Sequence, residues 1–296
     1  WLAREVKQEL DKEIPSLLLR LADQKTREYQ KYLSGRYVAV REFLESKAGK
    51  EKETAPHRIG SRPEVKLVEY DNDAEAKILA GVIFPETHGS WDDCLRMAGK
   101  LSPEEKRELL GRYLKNRTAR WHKVGRAFEN SYLRFEIVMN IGAYRDLHRH
   151  RMMTQGRQLF STHHGFDVPK EIIESGLADR FSEALGVADS LFRKLEALDR
   201  ELAQYVVPLA YRMRFYQWQN FRQLFWEAEL RTGSQGHPDY RFIEQEKYRL
   251  AKEKFPLVAE YMLVDMNDYA VARRGTEEKI KEKEEMIVEK LQKRNS

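Results

Sequence analysis

Two segments of the sequence are typical of β-strands, and they limit the fold more than any other feature. Residues 65–70 read Val-Lys-Leu-Val-Glu-Tyr, and residues 132–140 read Tyr-Leu-Arg-Phe-Glu-Ile-Val-Met-Asn. Successive side chains of a strand point to opposite faces of a sheet, so alternating runs of this kind pair into a sheet with one buried face. The apolar residues elsewhere mostly have helical spacing. The sequence therefore predicts a helix-rich chain that contains a sheet.

Helical patterns precede, separate and follow these strands. Leu2, Val6 and Leu10 recur on one face near the start of the chain. Ser102 and Pro103, followed by two glutamates, have the N-cap, first-turn proline and capping box of a helix start. Further helices are predicted at residues 74–84, from residue 141, and at residues 177–205, 221–230 and 242–255.

These patterns divide the chain into three parts. Residues 1–62 are predicted to form an N-terminal helical extension and a linker, the latter because residues 48–63 are charged and carry glycine and proline. Residues 63–272 form the main domain, and residues 273–296 form a charged helical tail. Because the chain starts at Trp1 without a methionine, we expect it to be the second half of a duplicated protein.

Composition excludes several classes of protein. Lys and Arg number 53 and Asp and Glu 48, so the net charge is only +5, too small for a chain that coats nucleic acid. The single Cys94 excludes an intramolecular disulfide and fits a cytoplasmic location. Cys94 follows two acids, Asp92 and Asp93, which do not favour the thiolate of a nucleophilic cysteine, so a buried structural role is expected for it. No apolar run approaches the roughly 20 residues of a membrane helix.

The side chains that carry chemistry are concentrated between residues 145 and 164. This segment has four arginines and four histidines against one acid, Asp146. The basic residues are Arg145, His148, Arg149, His150, Arg151, Arg157, His163 and His164. Such a cluster repels itself, and a bound anion relieves the repulsion. The planar guanidinium of arginine donates two hydrogen bonds at once to phosphate oxygens or to a heterocycle edge. The segment therefore predicts a pocket for an anion.

Three other interpretations of this segment stay open. It could be a solvated basic loop, although the apolar Met152, Leu159 and Phe160 argue against full exposure. It could bind nucleic acid, but its basic residues do not spread along one helix. The histidines could bind zinc, yet no carboxylate stands at a recognised ligand spacing. We therefore predict no metal, no membrane partner and no nucleic-acid partner.

At Arg149-His150-Arg151 the sequence resembles the flavin-dependent thymidylate synthase family, whose signature is Arg-His-Arg, seven arbitrary residues and Ser. The likeness continues upstream. Residues 65–68 are similar to the family's opening strand, and residues 126–129 are similar to the segment that precedes its second strand.

The likeness also continues downstream, at matching intervals. Residues 207–209, 220–222 and 229–231 are similar to the family's Leu-Pro, Asn-Leu-Arg and Leu-Arg motifs. In all, the resemblance covers residues 63–268, and the order of its pieces makes it specific. It implies an α+β fold, with a helix-rich domain around a central, mostly antiparallel sheet, and a homotetramer whose active sites are shared between subunits.

The resemblance implies a reaction and its cofactors. A one-carbon unit would move from methylenetetrahydrofolate to C5 of dUMP, and hydride from reduced FAD would complete the methyl group of dTMP. NADPH would reduce the flavin. Because the cofactor carries the bond chemistry, no nucleophilic cysteine is needed.

Individual roles follow from the same resemblance. Arg149, His150, Arg151 and Asn220 would bind the flavin. Arg231 would bind the nucleotide and, with Arg151, would stabilise charge that develops during the reaction. The other residues expected to contact the nucleotide lie in the loop after the motif: Gln155, Arg157 and Ser161.

The sequence departs from the family signature at several positions. Leu159 stands where the signature has Ser, and Ser161 stands where an arginine is usual. Leucine donates no hydrogen bond, and an Arg-to-Ser change removes a group that grips phosphate. A non-catalytic paralogue that keeps the scaffold and its flavin or nucleotide binding is therefore the alternative to an enzyme.

Overall fold

A computed structural model describes residues 2–19, 23–47, 63–269 and 276–295. The chain divides into two compact units, residues 1–58 and 59–296. Apart from Pro63, the predicted linker lies outside the described residues.

The described residues of the first unit form three α-helices, α1 (Leu2–Glu13), α2 (Pro15–Leu18) and α3 (Gln24–Lys47). Pro15 opens α2, a position at which the missing N–H of proline costs no helical hydrogen bond. The described part of the segment is thus helical, as its pattern predicts. α3 is 24 residues long and buries none of its side chains.

The second unit is organised around a four-stranded antiparallel sheet in the order β1-β2-β4-β3. Its strands are β1 (Glu64–Tyr70), β2 (Tyr132–Asn140), β3 (Thr154–Arg157) and β4 (Arg212–Asn220). β2 and β4 pair along their whole length, from Tyr132 opposite Asn220 to Asn140 opposite Arg212. Both strands predicted from the sequence are present, and the α+β fold with an antiparallel sheet is confirmed.

The described residues of the second unit also form eleven α-helices. In chain order they are α4 (Ala74–Ile83), α5 (Trp91–Lys100), α6 (Pro103–Tyr113), α7 (Ile141–Leu147), α8 (Lys170–Glu174), α9 (Ala178–Glu196), α10 (Arg200–Ala203), α11 (Phe221–Arg231), α12 (Pro238–Lys254), α13 (Pro256–Ala259) and α14 (Thr276–Asn295). The predicted capping box is present at the start of α6, where Ser102 accepts from Glu105 N and the Glu105 carboxylate accepts from Ser102 N. None of the described helices is long and apolar enough to cross a bilayer.

The core lies between the inner face of the sheet and the helices α11 and α12, with α4 and α5 beside them. The inward side chains of β2 are apolar and fully buried: Leu133, Phe135 and Ile137. Cys94 is also buried, at 1% exposure, in agreement with the structural role predicted for it. Burial of this apolar surface is the main source of stability for the domain.

Two helices differ from the sequence-based prediction at their ends. The helix predicted at residues 177–205 breaks after Glu196, because the Asp199 carboxylate accepts from the backbone N–H groups of Glu201 and Leu202 and starts a new helix. The helix predicted from residue 242 already begins at Pro238.

Two strands of the sheet were not predicted. In β4, the inward positions include Gln217 and Gln219, which are fully buried. Because these side chains are polar amides, the sequence of β4 does not show the alternation of apolar and polar residues that is typical of a strand. β3 has only four residues and no apolar side chain, so it has no pattern of its own. Its Gly156 lies against the ring of Tyr216, and a Cβ there would stand 2.4 Å from Tyr216 Cε1.

Candidate functional site

Two strand-to-helix junctions, at opposite ends of the sheet, position the candidate site. β2 ends at Asn140, whose side-chain oxygen accepts from Ala143 N at 2.9 Å and caps α7. β4 ends at Asn220, which caps α11 through Gln223 N at 2.9 Å. Since β2 and β4 are antiparallel, α11 runs back towards the end of the sheet where α7 lies. Arg231, at the end of α11, therefore reaches the segment that follows α7.

Arg231 and His150 form the centre of the site. Arg231 Nε donates to His150 Nε2 at 2.8 Å, and Arg231 Nη2 donates to the backbone oxygen of Asp146 at 2.8 Å. His150 is 8% exposed, and the side chain of Arg231 is 13% exposed. The guanidinium also lies 5.4 Å from the ring centroid of Tyr240. These contacts hold a cation in a fixed orientation where water screens it little.

One carboxylate lies against the arginines of the site. Asp146 Oδ1 is 3.8 Å from Arg231 Nη1 and also contacts Nη2 of Arg149. Its side chain is 35% exposed, whereas that of Arg149 is 65% exposed. Two guanidinium groups against one carboxylate leave positive charge at this position, which favours an anionic ligand.

His150 is neutral in this arrangement. Burial lowers the pKa of His150, and the charges of Arg231, Lys247 and Arg149 lower it further, against the opposing effect of Glu227. Because Nε2 accepts the hydrogen bond from Arg231, the neutral ring carries its proton on Nδ1. The neutral ring is therefore what allows His150 to orient Arg231.

Gln155 ties β3 to the motif. Its Nε2 donates to the backbone oxygen of His150 at 2.8 Å, while its Oε1 is buried and has no hydrogen-bond partner among the described residues. A buried acceptor without a partner costs free energy. Gln155 thus offers a free acceptor next to His150.

The other residues predicted to bind ligands make no contact with the His150–Arg231 pair among the hydrogen bonds and ion pairs of residues 63–269. The guanidinium of Arg157 lies over the ring of Phe160, with Cζ 4.4 Å from its centroid. Arg151 is exposed, and neither Arg151 nor Ser161 makes a side-chain hydrogen bond or ion pair within residues 63–269. These polar groups are consequently available to a ligand or to another subunit.

A cavity of about 380 Å³ opens beside the start of α11. It combines cations with aromatic rings and two carboxylates. Its polar and aromatic lining comprises Arg117, Arg120, Lys123, Glu129, Tyr132, Asn220, Arg222, Gln223, Phe225, Trp226 and Glu229. Gln223 links this cavity to the motif, because its side-chain amide lies 3.5 Å from His150 Nδ1.

A second cavity of about 920 Å³ adjoins the first along Glu129 and Tyr132. Its wall includes Trp91, Arg126 and Asn130. Since Tyr132 is the first residue of β2 and stands opposite Asn220, both cavities lie at the same end of the sheet. Together they form an elongated recess with charged and aromatic walls.

Asn220, which the resemblance assigns to flavin binding, lines the smaller cavity, whereas its neighbours in the cavity wall were not predicted. Gln223 and Trp226 follow Asn220 at helical spacing in a segment predicted to be a helix, and this spacing was the available signal. Arg117, Arg120 and Lys123 come from a loop for which no pattern predicts a position.

Two histidines that follow the motif, His163 and His164, have protein partners. His163 Nε2 lies 3.0 Å from Glu196 Oε1, and His164 Nε2 lies 3.1 Å from Gln158 Oε1. In the described part of the chain, no three His, Cys, Asp or Glu side chains are grouped so that they could hold a metal ion.

Acidification is expected to destabilise the protein through His164. Burial, assisted by the charges of Arg214 and His163, lowers the pKa of His164 from 6.5 to about 4. The folded state therefore favours the neutral ring, and its stability falls as the pH drops from 6.5 towards 4. Allowing for partial exposure, we expect a loss of about 1–2 kcal/mol near pH 4.5.

Urea unfolding of the wild type and of His164→Gln at about pH 7 and about pH 4.5 measures this effect. Other groups that titrate in this interval act in both proteins, so their contributions cancel in the comparison. The wild type should lose more stability than the variant, and equal losses would contradict the assignment.

Comparison with known proteins assigns the chain to a family and finds two relatives of similar sequence. Residues 66–257 match the family described as thymidylate synthase complementing protein. A UPF0159 protein of Chlamydia pneumoniae is 35% identical over 240 residues, which are 81% of this chain and 45% of that protein. A UPF0159 protein of Chlamydia muridarum is 37% identical over 238 residues, or 79% of this chain and 44% of that protein. The chain thus spans less than half the length of these two relatives.

One solved structure shows the same fold. It is the crystal structure of a UMP/dUMP methylase, PolB, from Streptomyces cacaoi bound with 5-Br dUMP. The TM-score is 0.54 at 18% sequence identity, and the likeness covers 69% of this chain and 96% of that one.

Proposed function

We propose that this chain, which belongs to the thymidylate synthase complementing protein family, methylates dUMP at C5 to form dTMP. Methylenetetrahydrofolate would supply the carbon, and FAD reduced by NADPH would supply the hydride. The observation that supports this proposal best is the Arg231–His150 pair, a fixed cation whose histidine lies 3.5 Å from Gln223, a residue of the smaller cavity's basic and aromatic wall.

Arg231 would hold the nucleotide. A guanidinium has five N–H groups, and Arg231 uses one for His150 and one for Asp146 O. Its Nη1 lies 3.8 Å from the Asp146 carboxylate, beyond hydrogen-bond distance, and so remains available to an anionic oxygen. An arginine fixed in this way stabilises negative charge that develops on a pyrimidine ring, without reorganising during the reaction.

The walls of the recess fit a flavin dinucleotide. Lys123 and Arg222 could pair with phosphate oxygens, and Trp226 and Tyr132 offer ring faces for stacking. Asn220 uses its oxygen to cap α11, which leaves its amide N–H groups for a ligand carbonyl. When bound, the flavin would supply the hydride; these residues would bind it and orient it.

The loop after the motif would complete the nucleotide site. Gln155 has a free buried oxygen, and Arg151, Arg157 and Ser161 project from the same region. We propose that these groups contact the nucleotide in a homotetramer whose sites are shared between subunits. Such sharing accounts for the exposure of Arg151 in a single chain.

Two measurements test the proposal. Purified protein should take up FAD and show the visible absorption of a flavin; a colourless protein that takes up no added FAD would contradict it. With FAD, NADPH and methylenetetrahydrofolate present, dUMP labelled with tritium at C5 should release tritium. Flavin and dUMP binding without tritium release would instead support the non-catalytic paralogue, for which the absence of a donor at Leu159 is the structural argument.

Replacing Arg231 with alanine is expected to weaken dUMP binding by about 1.5–3 kcal/mol, the contribution of a charged hydrogen bond. Calorimetric titration of the full chain measures the change. Arg249→Ala is the matched control, because Arg249 is exposed on α12 and pairs only with Glu246 among the described residues. Equal dUMP affinity in wild type and Arg231→Ala would reject the role assigned to Arg231.

A further inference from the structure

A fully buried cluster of charged and amide side chains lies behind His150. Lys247 Nζ donates to Glu227 Oε2 at 2.9 Å, to Glu244 Oε1 at 3.0 Å and to Gln217 Oε1 at 2.7 Å. Gln217 Nε2 in turn donates to Glu227 Oε1 at 3.1 Å. All four side chains are 0% exposed. The three N–H bonds of the ammonium are therefore satisfied, as a buried lysine requires.

The charges of this cluster balance at neutral pH. Burial, together with the charge of Glu227, raises the pKa of Glu244 to about 8, so Glu244 is protonated. Burial alone would lower the pKa of Lys247, but the charge of Glu227 and the hydrogen bonds to Glu227 and Glu244 outweigh it and raise that pKa. The cluster thus holds one ammonium, one carboxylate at Glu227 and one neutral carboxylic acid.

α11 connects this cluster to the candidate site. Gln223, Glu227 and Arg231 are spaced four residues apart, so they lie on one face of the helix. His150 contacts the residues one helical turn before and one turn after Glu227. Its Nδ1 is 3.5 Å from the Gln223 amide, and its Nε2 accepts from Arg231 at 2.8 Å. Glu227 therefore lies behind the ring.

We propose that Lys247 is a positioning residue for the nucleotide site: by neutralising Glu227 it keeps His150 uncharged, and the uncharged ring accepts the hydrogen bond that orients Arg231. The consequence for nucleotide binding rests on the proposed function, whereas the coupling between Lys247 and His150 does not.

The physical reason is the cost of an unpaired buried charge. Without Lys247, the buried Glu227 carboxylate would lose the one ion-pair partner that it has among the described residues. A proton on the nearby His150 would then compensate that charge. A protonated His150 cannot accept from Arg231 and repels its guanidinium, so the orientation of Arg231 would be lost.

The charged groups around His150 make the direction of this effect unambiguous. They come from α11, from α12 and from the motif segment itself: Glu227, Arg231, Lys247, Arg149 and Asp146, with Glu244 as a further titratable group that is neutral at this pH. Of the charges that act on the His150 pKa, Glu227 raises it, whereas Arg231, Lys247 and Arg149 lower it. Removing Lys247 and removing Glu227 should therefore move the His150 pKa in opposite directions.

An NMR titration of the ligand-free full chain tests the proposal, with the His150 ring signal assigned by its loss in His150→Gln. Lys247→Met should raise the pKa of His150 by about one or more, and Glu227→Gln should lower it. The double variant Glu227→Gln/Lys247→Met removes both charges and should return the pKa close to that of the wild type. A packing defect alone predicts neither the opposite signs nor the recovery.

An unchanged His150 pKa in folded Lys247→Met or in folded Glu227→Gln would overturn the proposal. If Lys247→Met does not fold, the other two variants still test the proposal. Glu227→Gln must lower the pKa of His150, and the double variant must have a His150 pKa close to that of the wild type.

Nucleotide binding provides a second readout. In Lys247→Met, dUMP should bind about tenfold more weakly at about pH 6 than at about pH 8, because the protonated fraction of His150 reduces the apparent affinity in proportion. The wild type, measured in parallel, accounts for titration of the dUMP phosphate. If the wild type binds no dUMP, the proposed function fails, and the NMR titration still tests the coupling by itself.

Discussion

Arg117→Met should lower the free energy of unfolding by about 3–5 kcal/mol, the cost of leaving a buried charge unpaired. Arg117 Nη2 lies 2.5 Å from Glu229 Oε2, and the two side chains are 6% and 1% exposed. Arg117 also donates to the backbone oxygens of Tyr261 and His122, each at 2.8 Å. The substitution would therefore leave one buried carboxylate without its cation and two backbone carbonyl groups without their hydrogen-bond donor.

Chemical denaturation of wild type and variant gives this difference directly. Arg107→Met is the matched control, because its pair with Glu260 is 3.3 Å long and more than half exposed on both sides. An exposed pair contributes at most about 1 kcal/mol, so the control should change stability little. The double variant Arg117→Met/Glu229→Met should be more stable than Arg117→Met, since it also removes the carboxylate that the single variant leaves unpaired. A loss no larger than that of the control would show that Arg117 and Glu229 do not form this pair in solution.

Phe128→Ala should also cost about 3–5 kcal/mol, the usual penalty for deleting a buried aromatic ring. Phe128 is 0% exposed and packs edge-on against Phe225, with ring centroids 5.3 Å apart. It also stacks at 6.5 Å on Tyr113. Since Phe225 lines the smaller cavity, the substitution should weaken FAD binding as well as stability.

Phe242→Ala serves as the control for ring deletion. Phe242 lies on α12 and is 40% exposed, so its removal leaves no closed cavity and should cost about 1 kcal/mol or less. Thermal unfolding monitored by circular dichroism compares the three proteins. Similar losses for Phe128→Ala and Phe242→Ala would mean that Phe128 is not enclosed as the structure shows.

The elements that the sequence predicted are those whose side chains alternate or repeat cleanly. β2 was predicted over residues 132–140 because its inward positions are apolar throughout. α6 was predicted from the capping box at Ser102, which depends only on local chemistry. β4 was missed although it pairs with β2 along its whole length, because Gln217 and Gln219 occupy inward positions that only the buried cluster around Lys247 explains.

The candidate site shows the same division. The Arg-His-Arg tripeptide identified the family, which the match over residues 66–257 confirms. It did not reveal that Asp146 contacts two arginines or that Gln223 joins the motif to a cavity. The contacts of Asp146 with Arg231 and of Gln223 with His150 join residues 85 and 73 positions apart along the chain, which no local pattern specifies.

The sequence by itself determined the family, the helix-rich α+β class and the presence of an arginine- and histidine-rich segment, because periodicity, capping and short motifs act over a few residues. Only the tertiary structure decided which residues contact that segment and which of its side chains are charged. It placed Arg231 against His150, which lies 81 positions earlier in the chain. It also buried Lys247 and Glu227 behind the His150 ring. Burial sets the protonation of His150, and burial depends on contacts between distant elements.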